Sequence, residues 1–220
     1  MKSEYNLYLY FSYLSSVSVC IPIIVGLIFR KRIAVTHYIL LYMLFVSVLT
    51  EMISVTLHKY NVQNLLVFRL FTIFQFVILS VFYAKKTQSR IMTVIIRTAL
   101  ILFFLAELYD LNKKGFYSLD DIPLTTASIF LMIYSLFTFY HFIQYPVYTQ
   151  ILNEPVFWFN TAVLTYFSGC LFLFIFSNYI EIHHAKIFHI VWGSINSILN
   201  ITFNLLIATG FWKTRHRQIS

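Results

Sequence analysis

The sequence predicts an all-α fold: a single transmembrane domain of seven helices, a polytopic membrane protein with its N-terminus outside and its C-terminus in the cytoplasm. Three observations lead there. Of the 220 residues, 60% are hydrophobic and only 11% charged, and the mean hydropathy is +0.77. Soluble domains carry roughly 45–50% apolar and about 25% charged residues, so a water-soluble or disordered chain is excluded. At roughly 20 apolar residues per span, the composition supplies six to seven spans. Polar breaks then divide the chain into seven apolar runs, and Lys and Arg cluster unevenly between the two ends of those runs.

The first run covers 5–29 and stops at Arg30, Lys31 and Arg32. Lys2 precedes it as in a signal peptide, but Glu4 stands beside it and no small-residue cleavage site follows, so it reads as an uncleaved span. Pro22 is placed to kink it. The second run, 33–57, stops at His58 and Lys59, and the third, 62–84, stops before Lys85 and Lys86. The fourth, 91–109, precedes the most polar loop, 110–121. The fifth is 122–143, the sixth 155–179 and the seventh 187–212. Pro123 and Pro155 sit near the first turns of their helices, where a missing N–H costs nothing. Continuous apolar runs of this length must satisfy their backbone internally in lipid, which selects helices over the alternating pattern of barrel strands.

Seven spans put the termini on opposite sides. One side holds nine Lys and Arg residues (Arg30, Lys31, Arg32, Lys85, Lys86, Arg90, Lys213, Arg215 and Arg217) against Glu154 alone. The other holds five cations and five acids. Positive charge near span ends marks the cytoplasmic side. The formal charge of +8 is therefore a topology signal and not a nucleic-acid surface.

The polar minority within the spans supplies the candidate site. Glu51 lies roughly 9 Å and Arg69 roughly 10 Å from the outer ends of consecutive helices, at 1.5 Å per residue. They are candidates either for an ion pair that merely neutralises itself or for a ligand site. Glu107 and His189, with His183 and His184 in the preceding loop, would either complete an outward-facing polar pocket or simply sit at the interface, where span ends tolerate polar groups. Arg97 can snorkel to the cytoplasmic surface. Asn196, Asn200 and Asn204 recur at i, i+4 and i+8 and share one face of the seventh helix, with Gly193 and Ser197 beside it. Amides in hydrocarbon need partners, so this face looks into the bundle. Asn160, Thr165, Ser168 and Gly169 of the sixth helix are the expected partners, as interhelical glue or as part of a ligand site.

Motif chemistry points to no catalytic, metal or cofactor assignment. Cys20 and Cys170 both lie in apolar runs and read as buried hydrophobes. The last helix has no lysine for a retinal Schiff base and no paired histidines for a zinc hydrolase, and neither a nucleophile elbow nor a phosphate-binding loop is present. Tyr5, Tyr8, Tyr10, Tyr145, Tyr148, Trp158 and Trp212 fall near the span ends, as an aromatic belt would.

Two stretches, NEPVFWFNTAVLTYFSGCLFLFIFSN (153–178) and IVWGSINSILNITFNLLIATGFWK (190–213), resemble a group of uncharacterised seven-helix inner-membrane proteins of Bacteroidetes. The architecture is also similar to the seven-helix sensor regions of histidine kinases. The resemblance implies a bacterial inner-membrane protein, a sensor or receptor-like module or an accessory subunit of a membrane complex, without catalytic residues. The chain ends at Ser220 without an output domain, so signalling would need a separate partner, contacting the cytoplasmic face around 213–217. A small-molecule transporter or a lipid-modifying enzyme is the alternative for the same polar interior.

Overall fold

The computed structural model describes residues 2–87, 89–144 and 151–216; the side chains of residues 2–9, 58, 185, 186, 189 and 216 lie outside the described set. The described residues form helices α1 (Lys2–Ser18), α2 (Cys20–Ile28), α3 (Val35–Lys59), α4 (Leu65–Thr87), α5 (Arg90–Lys114), α6 (Asp121–Gln144), α7 (Pro155–Val191) and α8 (Ser197–Lys213), and no strand. Seven helical segments are long and apolar enough to cross a membrane. The first is built from α1 and α2, and the others follow in order as α3 to α8.

The break between α1 and α2 falls at Val19, just ahead of Pro22. Pro22 has no N–H to give to the Ser18 carbonyl, and its ring crowds that carbonyl. The sixth segment is longer than its hydropathy suggested, Pro155–His184 instead of 155–179. Non-helical angles at His184 (φ −144°, ψ 50°) then turn the chain. The seventh opens with a π turn, Trp192–Asn196, before α8.

The fourth segment also runs on, to Lys114 instead of 109. Asp110 thus belongs to the helix and not to a loop, and the reason is electrostatic: its carboxylate pairs with Arg69 and, one turn on, with Lys114. Gly115 ends the helix at φ 84°, a conformation that favours glycine, and its N–H bonds the Leu111 carbonyl.

The packing order is a closed ring. α7 lies between α6 and α8, α8 packs against α1 and α2, α2 meets α3, α3 meets α4, and α4 and α5 both meet α6. The core is rich in aromatic residues: Phe76, Phe82, Tyr83, Phe103, Tyr134, Phe159, Phe167, Phe174 and Phe211 are fully buried. Large apolar side chains such as Ile24, Met52, Leu105 and Phe172 cover the outside, as a surface facing lipid requires. At the basic end, Arg32 donates to the Arg215 carbonyl (2.7 Å) and fixes the first loop to the end of the last helix.

Candidate functional site

A cavity of about 410 Å³ opens inside the ring, between α3, α4, α7, the π turn, α8 and the α5–α6 connection. Glu51 reaches it from α3, Thr72 and Gln75 from α4, and Asp120 and Asp121 from the α5–α6 connection and the start of α6. Asn196, Asn200 and Asn204 line it as well.

The asparagine stripe is held mainly by the first span. Asn200 Nδ2 donates to Ser15 Oγ (2.8 Å) and Asn204 Nδ2 to Ser18 Oγ (2.8 Å), while the Ser18 hydroxyl donates to the Ser15 carbonyl (2.6 Å). Residues three apart on α1 thereby meet residues four apart on α8, both spacings being one helical turn. Asn196 sits in the π turn and accepts from the Tyr166 hydroxyl of α7 (3.0 Å), with Cys170 Sγ at 3.5 Å. The partners expected on the sixth helix do other work. Asn160 is fully buried away from the cavity, where its Oδ1 accepts from the Tyr83 hydroxyl (2.8 Å) and its Nδ2 donates to the Ser135 carbonyl (3.0 Å), tying α7 to α4 and α6. Ser168 donates within its own helix, and Gly169 packs against Leu199.

Arg69 is not paired with Glu51. Its guanidinium donates to Glu107 (3.0 Å) and to Asp110 (2.7 Å), both on α5 and three residues apart, and reaches the Ser118 carbonyl and hydroxyl (both 3.3 Å). Asp110 also pairs with Lys114 (3.1 Å), which pairs in turn with Asp121. A bidentate fork on two carboxylates of one helix face is a stronger arrangement than a single pair across two helices. Arg69 and Glu107 lie outside the cavity wall; Arg69, paired with Glu107, holds Ser118 in the connection that carries Leu119 and Asp120 to the cavity.

Glu51, outside that pairing, accepts among the described residues only a long bond from Ser16 (3.4 Å). Of the histidines, His183 stacks on Tyr179 of its own helix (4.3 Å) and His184 forms the kink; neither lines the cavity. The side chain of His189 lies outside the described residues. Among the described residues, no group of three His, Cys, Asp or Glu is placed to hold a metal ion.

Asp120 and the first-span serines escaped the sequence. The serines had a signal, the hydroxyl cluster of Ser12, Ser15, Ser16 and Ser18 in an otherwise apolar run. Asp120 is 8% exposed, and its Oδ2 has no hydrogen-bond partner among the described residues. Burial pushes its pKa above the ordinary aspartate value, outweighing the Thr72 hydroxyl and the Arg69 charge. A carboxyl whose folded-state pKa is raised binds more protons folded than unfolded. Its contribution to stability is complete below the ordinary aspartate range and is lost as pH rises through the raised value. Asp120→Asn should remove that loss, leaving the protein roughly 1 kcal/mol more stable near neutrality, the cost of an unsatisfied buried group. Thermal unfolding in detergent against pH, for both proteins, measures it; superimposable profiles would refute it.

No protein-family model, curated protein or solved structure matches the chain.

Proposed function

We propose that this is a sensor-like membrane protein that binds a small molecule in a cavity open to the outside, and that it works with a separate partner at its basic, cytoplasmic face. The supporting observation is the cavity itself. Its volume of about 410 Å³ lies in the range of small-molecule sites, and apolar walls with a few convergent polar groups are what such sites present. A bundle serving only as a scaffold would gain by filling this space with packed side chains, since voids in a core cost stability. The orientation rests on nine cations at one end against five at the other, and the bacterial inner membrane on the resemblance of the last two spans to such proteins.

Thiol accessibility tests the reading. Thr50→Cys places a thiol on the cavity wall, in a background with Cys20→Ser and Cys170→Ser. A membrane-impermeant thiol reagent added to intact cells should label it. Labelling only after the cells are opened would overturn the orientation, and no labelling in either state would overturn the water-accessible cavity.

A further inference from the structure

Among the described residues lining the cavity are three carboxylates, Glu51, Asp120 and Asp121, and no Lys, Arg or His. Asp121 is already neutralised by Lys114. Among the described residues, Glu51 has one long bond, and Asp120 has an oxygen with no partner, on a side chain more than nine-tenths buried at the cavity wall. A buried carboxylate oxygen without a donor is costly and is relieved by a ligand that brings one. Beside the acids and the amides of Gln75, Asn196, Asn200 and Asn204, the wall carries aromatic rings: Phe68 and Phe71 from α4, Phe174 and Tyr166 from α7, and Trp192 from the π turn. Aromatic faces attract a cation electrostatically and also take up the apolar body attached to it.

The two features together define the chemistry of the occupant. A metal ion would find no group of three His, Cys, Asp or Glu placed to hold it among the described residues, and the rings would offer it none of the oxygen ligands such ions take. An anion would meet two carboxylates. A quaternary ammonium would satisfy the rings but has no N–H for Asp120 Oδ2. We propose that the cavity binds a protonated organic amine carrying an aromatic or aliphatic body, with the ammonium at Glu51 and Asp120 and the body between Phe71, Phe174 and Trp192. This rests on the cavity being a ligand site.

The test uses the full-length protein in lipid nanodiscs and three probes of one shape: 2-(1-naphthyl)ethylamine, its alcohol 2-(1-naphthyl)ethanol, and its N,N,N-trimethylated form. Equilibrium dialysis against empty nanodiscs corrects for partition into lipid. Saturable binding of the amine is expected, with the alcohol and the trimethylated form at least about tenfold weaker, since each tenfold is about 1.4 kcal/mol. Glu51→Gln and Asp120→Asn should each weaken the amine by about tenfold and leave the alcohol unchanged. The comparison of the three probes on the unaltered protein stands even if a variant fails to fold. Equal saturable binding of amine and alcohol would overturn the assignment of a cation while leaving the cavity as a ligand site. Absence of saturable binding by all three probes would overturn the amine proposal, and the thiol labelling then decides whether the cavity reading falls with it.

Discussion

Arg69→Met should destabilise the protein by about 3–5 kcal/mol, the cost of removing one member of a buried ion pair and leaving its partners uncompensated. Arg69 is 2% exposed and Asp110 fully buried, and a single guanidinium donates to one oxygen each of Asp110 and Glu107 and to the Ser118 carbonyl. Methionine fills similar volume, so packing is conserved and the loss is electrostatic. Lys114 still faces Asp110 in the variant, but Glu107 has no other cation among the described ion pairs. Arg69→Lys should fall between the two, because one ammonium lacks the planar fork that reaches two carboxylates together. The triple variant Arg69→Met, Glu107→Gln, Asp110→Asn should recover most of the loss, since neutral groups carry no uncompensated charge. Thermal unfolding in detergent measures all three. If Arg69→Met melts with the unaltered protein, the cluster is not structural. A second readout is local: Ser118 loses its anchor, so protease cleavage within 115–120 should quicken in Arg69→Met and quicken less in Arg69→Lys.

That pairing also shows where sequence reasoning stops. Hydropathy placed all seven helical segments long and apolar enough to cross a membrane, because lipid imposes one rule on every run, an internally satisfied backbone and an apolar surface. It shortened the fourth because Asp110 counts as polar along the chain, whereas in the fold two cations neutralise it. Depth along the membrane suggested Glu51 as the partner of Arg69, since both lie at similar distances from one end. Depth is only one coordinate, and pairing also needs the rotation of each helix about its axis. α4 contacts α3, α5 and α6, and the side chain of Arg69 turns to α5. The spacing of Glu107 and Asp110, i and i+3, was the readable sign of a shared face. The asparagine stripe was legible for that reason, its i, i+4, i+8 repeat fixing one face of one helix. Its partners were not, because ring order decides which helix stands opposite, and the closure of the last span onto the first left no mark in the hydropathy. Asp120 could not be read as a cavity residue at all: the connection that carries it is tied to α4 at Ser118 by Arg69, a long-range contact.

The closure of that ring makes a second large effect predictable. Gly210→Val should cost about 3 kcal/mol, the upper part of what overpacking a filled core costs. A Cβ at Gly210 would stand 2.5 Å from Phe159 Cδ1 and 3.0 Å from Cζ, and nearer still to Cε1. Phe159 has no free side to retreat to. It is fully buried, with its ring centroid 5.1 Å from Phe211, 5.0 Å from His37 and 6.3 Å from Phe82. Helices α7 and α8 would have to separate instead, against the close approach that small residues allow between membrane helices. Gly169 is the internal control, because the nearest atoms to its added Cβ, at 2.7 and 2.8 Å, are the terminal methyls of Leu199, which can change rotamer. Gly169→Ala should therefore lose well under half as much as Gly210→Val. Phe159→Leu, which shortens the obstructing ring, should couple with Gly210→Val so that the double variant is more stable than the sum of the single losses predicts. Unfolding of the four proteins under one detergent condition completes the cycle. Equal losses at the two glycines, or strict additivity with Phe159→Leu, would mean that the seam between α7 and α8 yields freely and is not what closes the bundle.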